Sequence, residues 1–113
     1  VANGAASVTV TGTGNIVSTT GGRAISVVGS TIGAAGLNFQ SVSANGGVNG
    51  IVLDNTGASG GLTITGSGST TQGGDNSGGV IQNTSGDAIL LSNTRNVSLT
   101  NIRVTNIGAN PGD

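Results

Sequence analysis

Residues 50–64 read GIVLDNTGASGGLTI, and this stretch decides the fold. Ile51 and Leu53 alternate with their neighbours at the period of a strand that buries one face. A polar turn follows, and then Leu62 and Ile64 repeat the alternation. The same pattern recurs outward in both directions. Ala24-Ile25-Ser26-Val27 and Ala88-Ile89-Leu90-Leu91 match Gly50-Ile51-Val52-Leu53, which gives inward pairs Ile25/Val27 and Ile89/Leu91. Polar turns come next, at Val28-Gly29-Ser30-Thr31, Asp54-Asn55-Thr56-Gly57 and Ser92-Asn93-Thr94-Arg95. Second inward pairs follow at Leu37/Phe39 and Val97/Leu99. A third element closes each unit, with Val42, Val80/Ile81 and Ile102/Val104 in turn. The N-terminus fits the template with Val1-Ala2-Asn3-Gly4, Val8/Val10 and Ile16/Val17.

Each unit is therefore three short strands divided by Gly, Asn, Thr and Ser turns. From Ile25 to Ile51 is 26 residues, and from Ile51 to Ile89 is 38. The longer unit carries an insertion, residues 66–79, without an aliphatic side chain, which reads as a projecting loop. Units of this length with three strands and no helix are solenoid rungs. The sequence predicts an all-β parallel β-helix of about four three-strand rungs, one segment spanning residues 1–113. Rungs stacked at ~4.8 Å enclose a narrow aliphatic core, which suits a chain whose only aromatic residue is Phe39.

In this alignment Val1 matches Val27, Leu53 and Leu91, and Asp113 matches Asp87. Neither end shows a cap, and uncapped sheet ends template pairing with further strands. The expectation is self-association through the open ends, as a homo-oligomer or fibre, or continuation in a longer chain.

Composition narrows the chemistry. Charged residues are 6% of the chain, three Arg and four Asp, and Cys and His are absent. Without thiol or imidazole there is no zinc, haem or iron–sulfur ligand set and no His-activated nucleophile. No cofactor is expected. Three cations make no basic surface, so no nucleic-acid partner is expected. No apolar run approaches the ~20 residues of a membrane-spanning helix. The 23 glycines invite a reading as disordered linker, but the regular spacing of branched aliphatics opposes it.

The runs GIVLDNTGASGGLTITGSGS (50–69), GGVIQNTSGDAILLSNTRNVSLTNIRVTN (78–106) and STIGAAGLNFQSVSANGG (30–47) resemble repeats of bacterial surface and secreted parallel β-helix proteins. These are the autotransporter and filamentous-adhesin passengers and, more distantly, the pectate-lyase-like fold. The resemblance implies a right-handed helix, an extracellular or cell-surface location, and service as a stalk, adhesin scaffold or fibre. No enzyme is expected; the alternative readings are a carbohydrate-active, pectate-lyase-like enzyme fragment and an ice-binding solenoid.

Several constellations compete with that structural role. Asn3, Asn55 and Asn93 follow first strands, and Asn83 and Asn106 follow third strands, which predicts a structural Asn ladder. Arg23, Asn49, Asp87 and Asp113 share one position before each first strand. With Asp54 nearby, the acids would suit a pectate-lyase-like calcium site, but no glycosidase-like carboxylate dyad is evident. Gly73-Gly74-Asp75-Asn76-Ser77-Gly78-Gly79 is a single copy of a motif that binds calcium only when repeated. Thr9/Thr11, Asn38/Gln40, Thr63/Thr65 and Ser98/Thr100 would form an outward array resembling that of ice-binding solenoids. Asn83-Thr84-Ser85 and Asn96-Val97-Ser98 are formal glycosylation sequons.

Overall fold

A computed structural model of the chain describes residues 2–3, 6–69 and 74–105. Twelve strands and no helix occur among them. The first rung holds β1 (Ala2–Asn3), β2 (Ser7–Val10) and β3 (Ile16–Thr20). The second holds β4 (Ile25–Val28), β5 (Thr31–Phe39) and β6 (Ser41–Asn45). The third holds β7 (Ile51–Asp54), β8 (Leu62–Ile64) and β9 (Val80–Gln82). The fourth holds β10 (Ile89–Ser92), β11 (Ser98–Leu99) and β12 (Arg103–Thr105). Corresponding strands pair in parallel, giving three four-stranded sheets ordered β1-β4-β7-β10, β2-β5-β8-β11 and β3-β6-β9-β12. The chain is a parallel β-solenoid of four rungs.

The alternation read from the sequence sets the packing. Ile25, Ile51 and Ile89 lie in one column of the first sheet, and Val27, Leu53 and Leu91 in another. Leu37 and Leu62 pair in the second sheet, as do Phe39 and Ile64. Ile51, Leu53, Leu62 and Ile64 are fully buried, with Ile25, Val27 and Leu37 nearly so. Val8, Val10, Phe39, Ile89, Val97, Leu99 and Ile102 pack partly buried against them. Burying one such aliphatic side chain is worth roughly 1.5–3 kcal/mol, so the two central rungs carry most of the core.

The structure corrects the sequence reading in four places. Ala2, not Val1, pairs with Val27, and Asn3 pairs with Val28; Val1 itself lies outside the described residues. A two-residue strand has little pairing to fix its register, and a slip of one residue exchanges a strand's faces. In β5 the strand begins at Thr31, so Val8 pairs with Ile32 and Val10 with Leu37. Residues 33–36 stand opposite the single Thr9, three residues more than a regular ladder holds, with Ala34 and Ala35 exposed on a bulge. Leu91 and Val104 are 44% and 49% exposed although their column mates Leu53 and Ile81 are fully buried. Both sit on the outermost described rung, where β10 and β12 have a strand on one side only. Finally, Ile32, Ala44 and Ala88 belong to the buried core without a predicted inward role, alongside Val42 and Ile81 of the third elements, which are fully buried.

Candidate functional site

The corner between the first and second sheets carries the Asn ladder. Asn55 and Asn93 take left-handed backbone angles, as does Gly29 in the equivalent place on the second rung. Asparagine tolerates that conformation better than most residues. The Asn93 Nδ2 donates to Asn55 Oδ1 at 2.6 Å, and Asn55 Nδ2 donates to Asp54 Oδ1 at 2.9 Å. Beside it, the Thr56 and Thr94 hydroxyls hydrogen-bond to each other, and Thr56 is fully buried. Asn3 is not part of this column, because it pairs one residue earlier, with Val28.

At the corner between the third and first sheets, Asn83 has φ 56° and donates to Asn45 Oδ1 at 2.9 Å. Asn45 is a ladder partner that the sequence reading missed, and Asn106 lies outside the described residues. The predicted column before the first strands forms in part. Arg23 Nη2 donates to Asn49 Oδ1 at 3.3 Å, and the buried Asn49 donates to the Asp87 carbonyl at 2.6 Å. Asp113 lies outside the described residues. Asp54 sits at a different corner from Asp87, and no group of three His, Cys, Asp or Glu side chains occurs among the described residues.

The corner between the second and third sheets varies most in length. Its connections are residues 11–15, Gln40 alone, 65–79 and 100–102 from the first rung to the fourth. The described part of the long insertion folds on its own polar groups. Asp75 accepts from the Ser69 N–H at 2.8 Å and the Ser77 N–H at 3.0 Å. Ser77 Oγ in turn accepts from the Ser67 and Gly68 N–H groups at 2.9 and 3.1 Å. Asp75 is thus committed to its own loop, and Gly73 of the calcium-like motif lies outside the described residues.

Hydrogen bonds from Ser77, through side chain and then backbone, hold the Asp75 carboxyl below its ordinary pKa of 3.8. A carboxylate with a depressed folded pKa stabilises the loop above its unfolded pKa, and that contribution fades as pH falls through the folded value. The protection of the Ser69 and Ser77 amides, as exchange rate relative to the intrinsic rate at the same pH, is therefore expected to fall as the pH drops below 3.8. Asp75→Asn should show fast exchange at neutral pH already; unchanged exchange would remove Asp75 from this role.

Between the long first and third connections, the single residue Gln40 leaves the second rung recessed. The result is a notch of about 350 Å³ lined by residues 12–14, 38–40, Thr65 and Gly66. None of the described Asp or Arg residues lines it. Asn38 Nδ2 donates to the carbonyls of Val10 at 3.0 Å and Ala35 at 2.7 Å, clasping the β5 bulge to β2. Continuing the Val10–Leu37 register puts Thr11, rather than Thr9, beside Asn38. The outward Thr array is offset as well as interrupted at Asn38. Both sequons present exposed asparagines, Asn83 inside its ladder and Asn96 at φ 56°.

Comparison with protein-family models, with curated proteins and with solved structures finds no match to this chain.

Proposed function

We propose that this chain is a structural β-solenoid segment of an exported stalk, adhesin or extracellular fibre. Its rungs stack end to end with further copies or continue in a longer polypeptide. The observation that carries this reading is the continuity of the three sheets. All three hold parallel register through four rungs. At the outer rung, the columns of Leu53 and Ile81 run out into exposed Leu91 and Val104. One more rung over those residues would bury them and pair the edges of β10, β11 and β12, which carry no further strand among the described residues. The low charge also favours stacking, since rungs of this composition repel one another little.

Two measurements test it together: the denatured mass of the polypeptide from its native source, and the light-scattering mass of the 113-residue chain. A native mass well above 10.6 kDa supports a solenoid that continues. A native mass of 10.6 kDa with concentration-dependent assembly, abolished by Leu91→Lys with Val104→Lys, supports stacking. A native chain of 10.6 kDa that stays monomeric overturns both forms of the proposal.

A further inference from the structure

We propose that Asn45–Gly46 and Asn49–Gly50 are sites of spontaneous deamidation, which the corner of the following rung holds closed. In such a pair the glycine nitrogen, unhindered by any side chain, attacks the asparagine Cγ. The Cγ–Nδ2 bond breaks, the glycine N–H proton leaves with the departing nitrogen as ammonia, and a cyclic imide closes. Water then opens the ring at either carbonyl. The product is aspartate or isoaspartate, the second with an extra methylene in the main chain. The sequence holds three Asn-Gly pairs, and the glycine of the third, Asn3–Gly4, lies outside the described residues.

The fold needs glycine at both positions. Gly46 takes φ +88°, and a Cβ on Gly50 would stand 2.5 Å from Ile81 Cγ2. The reactive pairs are thus fixed from the glycine side, and protection comes from residues 82–88 of the next corner. The Gly46 N–H donates to the Gln82 carbonyl at 2.9 Å, and the Gly50 N–H to the Ala88 carbonyl at 2.8 Å. Both attacking nitrogens are therefore engaged. Between them, the Ser85 and Gly86 N–H groups donate to the Gly47 and Val48 carbonyls, each at 2.9 Å. The two asparagine side chains are held to different degrees. Asn49 is buried, accepting from Arg23 Nη2 and donating to the Asp87 carbonyl. Asn45 is exposed and accepts from Asn83 Nδ2, so its side chain turns more freely. Closing the imide ring requires a released glycine nitrogen and a side chain free to turn toward it. Both conditions are met when residues 82–88 lift away, and local opening of this kind is easiest where a stack ends. After reaction at Asn49 the corner no longer recloses. The acid has no N–H for the Asp87 carbonyl, and isoaspartate carries the Gly50 N–H out of register with Ala88. A transient opening thereby becomes a permanent change.

This inference does not depend on what the solenoid is used for. Its test is incubation of the 113-residue chain at mildly alkaline pH, folded and in concentrated urea. Fragmentation mass spectrometry of its peptides then locates the new acid at 45 or 49. In urea the two sites should convert at similar rates. In the folded chain Asn49 should convert at least ~100-fold more slowly than in urea, and Asn45 at least ~10-fold more slowly, because reaction waits on opening. Thr84→Val deletes the hydroxyl bond to the Gly86 carbonyl within the covering corner. It should speed folded-state conversion of Asn49 roughly 5-fold and leave the rate in urea unchanged. Exchange protection of the Gly50 amide should fall by the same factor, which ties the chemistry to opening even if the variant is only partly folded. Equal rates at Asn49 with and without urea, faster conversion of Asn49 than of Asn45 in the folded chain, or a Thr84→Val rate unrelated to Gly50 exchange would each overturn the proposal.

Discussion

Ile51→Asp is expected to abolish cooperative folding of the solenoid at room temperature. Ile51 is fully buried and pairs with Ile25 on one side and Ile89 on the other, at the middle of the first sheet. The substitution removes an aliphatic side chain worth ~2–5 kcal/mol and places a carboxylate where no cation can reach it. Total stabilities of small domains are about 5–15 kcal/mol, so a loss of this kind consumes most or all of the margin. The effect should reach beyond one rung, since each rung is stabilised by its neighbours. Ile51→Val deletes one methylene and should cost only ~1 kcal/mol. Far-UV circular dichroism with urea titration reads both. If the aspartate variant kept strand content and midpoint, Ile51 would not face the core.

Gly79→Ala should be strongly destabilising, because it combines a backbone clash with a left-handed φ. Gly79 closes the insertion and leads into β9, with φ +104°. An added Cβ would stand 2.1 Å from the Val42 carbonyl oxygen and 2.6 Å from its carbon, both backbone atoms. Backbone cannot step aside as a side-chain tip can, because Val42 is held in β6 and its own N–H bonds to the Gly78 carbonyl. The expected loss is about 3 kcal/mol or more, combining conformational strain with displacement of the third sheet. Gly12→Ala separates the two causes. Its φ is +94°, yet nothing lies within 4 Å of the added methyl, so it should show only the ~1 kcal/mol conformational part. Equal urea midpoints for the two variants would mean that close approach to Val42 is not limiting.

Much of this architecture was legible because strands with one buried face alternate with period two. Ile51/Leu53 and Leu62/Ile64 announce two neighbouring strands, and their echoes at Ile25/Val27 and Val97/Leu99 announce a repeat. Where the alternation thins, the reading failed. Ile32 stands alone before Gly-Ala-Ala-Gly, so nothing in the sequence ties it to Val8. Ala44, two residues after Val42, is a small side chain that gives little hydrophobic signal although it is 1% exposed. Leu91 and Val104 repeat the inward pattern faithfully; their exposure depends on what stacks above them, which periodicity does not encode. The ladder partner Asn45 stayed hidden because Asn83 reaches it across 38 residues and one register step. The notch was least legible of all. It arises from a difference in connection length between rungs, and its residues share no motif.

That same corner can be viewed as the place where this protein's length is free to drift. Four consecutive rungs cross it with five, one, fifteen and three residues while the three sheets stay in register. Lengthening a loop costs only ~0.6 kcal/mol per doubling, and here the added chain leaves the core untouched. Foreign peptide spliced between the second and third strands of a rung should thus be displayed outward at ~4.8 Å spacing multiplied by the number of rungs separating two grafts. The solenoid then works as a ruler with one writable edge.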